Sequence, residues 1–104
     1  MDNVRASLVQ IAQAILDEKI HVVLGCREID RLRSESSDRE SPIFNPFRVV
    51  SSETDSFPFG DVRRHWNDDV LAQRDLELKA YVCEIHESIK QACHAIIDTY
   101  GSGR

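Results

Sequence analysis

Residues 66–101, WNDDVLAQRDLELKAYVCEIHESIKQACHAIIDTYG, hold the most legible pattern in the chain and set its fold class. Asn67 is a good N-cap, and Asp68 and Asp69 put negative charge on the first turn, where the helix dipole favours it. Trp66 and Leu71 occupy the two positions of a hydrophobic staple. From there Leu71, Leu78, Val82, Ile85, Ile89, Ala92 and Ile96 keep three-and-four spacing for about seven turns, up to a stop at Gly101. This predicts one long helix as the spine of the fold. With Leu78 at zero on a wheel of 100° per residue, Leu76, Ala80 and Cys83 fall at about 160°, 200° and 140°. They make a small second apolar patch pointing away from the core, either scattered surface residues or a dimer or partner contact.

Upstream the chain changes character. Residues 34–66 contain all three prolines, Pro42, Pro46 and Pro58, and seven of the ten serines, which argues against a continuous helix. The same segment holds Phe44, Phe47, Phe57, Phe59 and Trp66, five of the seven aromatic residues, and a disordered linker is poor in aromatics. Residues 34–41 therefore read as a polar, mobile loop, and Pro42 to Trp66 as an ordered excursion packed onto the helices. Phe47 to Ser51 has the composition of a short strand.

Nearer the start, Val4, Leu8, Ile11 and Ile15 recur at i, i+4, i+7 and i+11, an amphipathic helix capped by Asp2 or Asn3. A second segment from Ile20 to Arg33 places Val22, Cys26, Ile29 and Leu32 on one face, with a strand over Ile20 to Leu24 as the lesser alternative. No proline separates the two, but the charged triplet Asp17-Glu18-Lys19 interrupts the stripe and predicts a break. Together these readings predict a mainly α fold. One domain covers residues 1–104: a small bundle of three helices with an aromatic-rich irregular excursion between helices 2 and 3, and a tail at 101–104.

A chain of 104 residues with 41% apolar and 30% charged side chains suits one modest core. The apolar runs Ala6 to Leu16 and Ile20 to Cys26 are well short of the roughly 20 residues needed to cross a bilayer, and no basic-then-apolar leader opens the chain, so a cytoplasmic protein without membrane contact is expected. Net charge is −5, and the successive stretches 1–33, 34–66 and 67–104 carry 0, −2 and −3. That balance argues against nucleic-acid binding, which needs an excess of Lys and Arg, and suits a basic protein partner.

Cys26, Cys83 and Cys93 are odd in number and lack CxxC spacing, so reduced thiols are expected. The only metal-like spacing joins Cys83, His86, Cys93 and His94. His86 and Cys93 flank the core face at about 80° and 60°, whereas Cys83 points outward, so these ligands diverge and neither metal nor other cofactor is expected. Nucleotide-binding glycine motifs, GxSxG, HExxH and EF-hand loops do not occur in the sequence.

The densest polar cluster runs from Ser51-Ser52-Glu53-Thr54-Asp55 to Asp61, Arg63, Arg64, His65 and Trp66. Glu53, Asp55 and His65 are the residue types of an acid–base site, with Arg63 to hold an anion. Turn chemistry explains the same residues. Ser, Thr and Asp bond their own backbone, Pro58 and Gly60 shape a turn, and the acids with Arg63 fasten the excursion to the last helix. The second account is favoured, and catalysis is not expected.

The pattern Ser52-Glu53-Thr54-Asp55, Pro58, Gly60, Arg63 and Trp66, followed by a helix opening with acids and Leu71, resembles a family of small bacterial proteins of uncharacterised activity. The likeness extends to Gly25-Cys26-Arg27, Leu32 and Ala92-Cys93, and so covers most of the chain. It departs at Phe59 and His65, which stand at variable positions, and at Asn67-Asp68, where the family begins its helix with Ser or Asn followed by Pro. The resemblance implies a bacterial origin, a mainly helical fold and a place among genes near toxin or contact-dependent inhibition loci.

Acidity and resemblance lead to one functional expectation, an immunity-type module that occludes a basic partner such as a nuclease toxin. Acids on a rigid helix imitate phosphate spacing and steer association with a cationic site. The residues expected to carry this are Asp68, Asp69, Asp75, Glu77, Glu84 and Glu87, then Glu53 and Asp55. The alternatives are a homodimeric structural or regulatory domain paired through Leu76, Ala80 and Cys83 or the first helix, and a small anion binder or enzyme using Glu53, Asp55, Arg63 and His65.

Overall fold

Apolar residues at i, i+4 and i+7 bury Leu8, Ala12 and Ile15 on α1 (Asn3–Leu16), and the charged triplet after them ends it. The computed structural model describes residues 3–101, so Asp2 and residues 102–104 of the tail lie outside the described residues. At the end of α1 the Lys19 amide donates to the Ala14 carbonyl at 2.9 Å and the Glu18 amide to that of Ile15 at 3.1 Å. That is the Schellman pattern, and it puts Glu18 at the left-handed position with φ 58°. The charged interruption thus acts as a true helix stop.

His21 opens α2 (Val22–Arg33) as its N-cap, Nδ1 accepting from the Val23 amide at 3.1 Å. Val23, Cys26, Ile29 and Leu32 bury its inner face. Gly25 marks the closest approach of α1 and α2, because a Cβ there would stand 2.5 Å from Cγ1 of Ile15. After α2, the segment 34–41 forms turns with Ser36 buried, and it is tied down by Arg33 donating to the Arg39 carbonyl at 2.9 Å and Tyr100 to Asp38 at 3.3 Å.

The excursion differs from the three-helix expectation. Residues Asn45–Glu53 form a further α-helix, α3, flanked by 3-10 turns at Pro42–Phe44 and Gly60–His65, and no strand occurs among the described residues. Among the described residues the bundle has four α-helices. The prolines misled because both Pro42 and Pro46 stand in the first turn of a helical segment, where the missing N–H would be unpaired anyway. Phe47, Val50 and Thr54 then fall on one helical face and are buried, so the Phe47 to Ser51 stretch packs with period 3.6.

The spine is α4 (Asp68–Tyr100), 33 residues long. At 1.5 Å per residue it spans about 50 Å, matching the longest dimension of a 50 × 24 × 23 Å molecule. Asn67 caps it, Oδ1 accepting from the amides of Asp69 at 2.8 Å and Val70 at 3.4 Å. Its C-terminal half buries Ile89, Ala92, Cys93, Ile96 and Tyr100 against α1, with α2 and α3 layered beyond. Between Asp68 and Ser88 only Leu78 is buried, so the first half of α4 stands largely in solvent.

Candidate functional site

Side-chain tethers from the excursion settle which acids of α4 are occupied. Arg63 reaches Asp75 with two bonds, Nη1 to Oδ1 at 2.9 Å and Nη2 to Oδ2 at 2.8 Å, and also donates to the Pro58 carbonyl at 3.3 Å. The Arg63 bonds hold the Asp75 carboxyl below its ordinary pKa. Arg74 lies over the Phe57 ring at 4.5 Å and donates to Ser56 and, at 2.9 Å, to Glu77. Hydrogen bonds from Gln73 and then Arg74 lower the pKa of Glu77. Tyr81 donates to Glu53 at 2.6 Å, and burial first, then the Glu53 carboxylate, raises the phenol pKa.

Three of the eight expected acids, Asp75, Glu77 and Glu53, are therefore engaged within the molecule. The other five, Asp55, Asp68, Asp69, Glu84 and Glu87, are exposed and have no ion-pair partner among the described residues. On the helical wheel Asp69 and Glu87 fall at about 180°, Glu84 at about 240° and Glu77 at about 260°, while Asp68 and Asp75 turn to the flank that meets the Gly60–His65 turn. No Lys or Arg occupies the sector from about 140° to 260°. Within that sector lie Leu76, 64% exposed, and the exposed Ala80 and Cys83. The outer face of α4 is thus an acidic surface with a short apolar stripe at its centre.

Glu53, Asp55, Arg63 and His65 do not converge. Glu53 and Asp55 line an open depression with Asp30, Arg33 and Arg48, whereas Arg63 is held by Asp75 and His65 is exposed at the end of its turn. Among the described residues no group of three or more His, Cys, Asp or Glu side chains is placed to hold a metal. All three cysteines are free. Cys26 and Cys93 are buried, each thiol pushed up to about 12 chiefly by that burial, and Cys83 is exposed.

One important side chain escaped the sequence reading as a contact. Arg27 of α2 donates to the carbonyl of Thr54, approaches its Oγ1 at 3.5 Å, and stacks over Phe59 at 5.0 Å. Thr54 is fully buried, its hydroxyl donating to the Val50 carbonyl at 2.6 Å. The blocks Gly25-Cys26-Arg27 and Ser52-Glu53-Thr54-Asp55 therefore meet in space, and the meeting point is a structural clamp closing α3 onto α2. An arginine followed 27 positions later by a buried threonine has no spacing that reveals the pair.

Comparison with protein-family models, with curated proteins and with solved structures finds no match. No helix among the described residues is long and apolar enough to cross a membrane.

Proposed function

We propose that this protein is a small acidic binding module of the immunity type, which uses the outer face of α4 to cover a basic partner such as a bacterial nuclease toxin in the cytoplasm. The observation that carries the reading is the sector of α4 holding Asp69, Glu77, Glu84 and Glu87 with no intervening base, laid along a helix of 33 residues. Fixed on a rigid rod, these carboxylates are pre-ordered, and little conformational entropy opposes their pairing with lysines and arginines. Leu76, Ala80 and Cys83 supply the desolvated centre that such an interface needs. The likeness to small bacterial proteins near toxin loci points the same way.

The exposure of Leu76 also favours a second reading, a homodimer paired through the same stripe. Charge weighs against it, because two copies of this face would bring carboxylates together across the contact. Sedimentation at rising concentration, with Leu76→Glu as control, separates the two. For the main reading the experiment is calorimetry, at low and high salt, against the protein that co-purifies with this chain from its native host. Binding should weaken steeply with salt and by at least about tenfold in a Glu84→Lys/Glu87→Lys variant. Binding indifferent to both overturns the reading.

A further inference from the structure

Among the described residues Arg5, Arg31, Arg33, Arg63 and Arg74 each pair with a carboxylate, and no lysine does. The sequence has only three lysines, Lys19, Lys79 and Lys90, and all three border one trough. Its main cavity, about 590 Å³, lies between the α1–α2 turn and the middle of α4. An annex of about 330 Å³ shares His21 and Val82 with it and extends along α4. The floor is apolar, built from Ile15, Leu16, Ile20, Val82 and Ile89.

The rim has the opposite sign to the molecule. Against the lysines stand only Glu18 and Asp75, and Asp75 is already neutralised by the two bonds from Arg63. His86 adds a ring at the edge of the main cavity. His21 spends Nδ1 on the Val23 amide, which leaves Nε2–H as a donor beside the trough. A cavity of this size, apolar below and cationic above, has the dimensions and polarity of a ligand site. Unpaired ammonium groups gathered at one apolar opening, in a chain of net charge −5, are a feature that packing does not require.

We propose that this trough binds a soluble single-chain amphiphile with an anionic head, of the medium-chain carboxylate class, its tail on the isoleucine floor and its carboxylate at Lys19 and Lys90. The site lies on a different flank of α4 from the acidic face, and the inference does not rest on the partner-binding reading.

The test is calorimetry of the full chain with decanoate, decanol and decyltrimethylammonium, repeated with Lys19→Glu/Lys90→Glu and with a charge-matched control at two exposed arginines, Arg48→Glu/Arg64→Glu. Circular dichroism confirms that each variant is folded, and Lys19→Gln/Lys90→Gln serves should the reversal fail to fold. Decanoate is expected to bind at one per chain, about tenfold tighter than decanol, with the ammonium weakest. The lysine variants should lose at least about tenfold, and Arg48→Glu/Arg64→Glu should bind as the parent does. Three outcomes overturn the proposal: no decanoate binding at millimolar concentration, equal affinity for decanoate and decanol, or unchanged binding in the lysine variants. Lysine-dependent capture by vesicles of mixed phosphatidylglycerol and phosphatidylcholine, without decanoate binding, also overturns it, in favour of a lipid surface.

Discussion

Replacing Arg27 with alanine should destabilise the protein heavily while leaving the acidic face of α4 untouched. The half-buried guanidinium donates to the Thr54 carbonyl and lies over Phe59. A hydrogen bond from a charged donor contributes about 1.5–3 kcal/mol, and the Thr54 carbonyl, which also accepts from the Phe57 amide at 3.0 Å, keeps one partner without it. The stack on Phe59, at a partly exposed position, adds about 0.5–1 kcal/mol. Taking the lower half of each range, because water reaches part of the side chain, gives a loss of about 2–3 kcal/mol. For a chain of this length total stability is on the order of 5–15 kcal/mol, so a substantial share would go, and Tm should fall by about 10–15 °C. Urea unfolding followed by far-ultraviolet circular dichroism and by Trp66 fluorescence measures it. Arg27→Lys should fall between the parent and the alanine variant, since an ammonium keeps the charge but cannot reach the carbonyl and Oγ1 of Thr54 while covering the ring. If Arg27→Ala costs less than about 0.5 kcal/mol, the clamp is not what closes α3 onto α2.

Glu18→Gly should stabilise by about 0.5–1 kcal/mol in the same assay, because φ 58° suits glycine and a negative charge leaves the carboxyl end of α1. An aromatic disulfide reagent should titrate one thiol quickly in the native protein, Cys83, and reach Cys26 and Cys93 only on unfolding, since both are buried and poor in thiolate. The folded Asp75 carboxyl titrates below its unfolded value, so its contribution to stability is complete above that unfolded value, about 3.9, and is lost as pH falls through the folded pKa. Carbon-detected titration should show Arg63→Ala returning Asp75 toward the ordinary carboxylate range. Tyr81 runs the other way: its raised phenol pKa makes its contribution complete below about 10 and lost at higher pH, a change that Glu53→Gln should reduce.

The readable parts of this sequence were those governed by local rules. Asn67 caps α4 with the two bonds its side chain is suited to make, the Leu78 to Ile96 stripe is buried at Leu78, Ile89, Ala92 and Ile96 and half-buried at Val82 and Ile85, and the charged triplet after Leu16 ends α1. The excursion was misread where one residue type has two meanings. Proline ends a helix from within but starts one at its first turn, and the buried spacing of Phe47, Val50 and Thr54 was the better guide over Asn45–Glu53. The site was legible in part. Residue types and helix phase located the acidic face, but not the claims of Arg63 on Asp75, Arg74 on Glu77 and Tyr81 on Glu53, since each depends on how the excursion lies across α4.

Those claims change how the net charge of −5 is to be understood. The arginines that bind the excursion to α4 neutralise acids where the chain must hold itself together, at Asp75 and Glu77. Of the groups on α4 without an ion pair among the described residues, Asp69, Glu84 and Glu87 lie at about 180° to 240°, Lys79 and Lys90 at about 100° and 120°, and Asp68 beside the lysines at about 80°. Two surfaces of opposite sign therefore lie within a half-turn of each other on one helix. Glu87 and Lys90 are neighbours at i, i+3, about 5–6 Å between their Cβ atoms and so inside the screening length of about 8 Å at physiological salt, whereas Asp69 and Glu84 have no lysine three or four positions away. On the two readings proposed above, a basic partner would be drawn to one flank and an anionic ligand to the next. Charge reversal at Asp69 and Glu84, neither of them three or four positions from a lysine, and charge reversal at Lys19 and Lys90 should consequently act on different binding events, each leaving the other within about twofold of the parent.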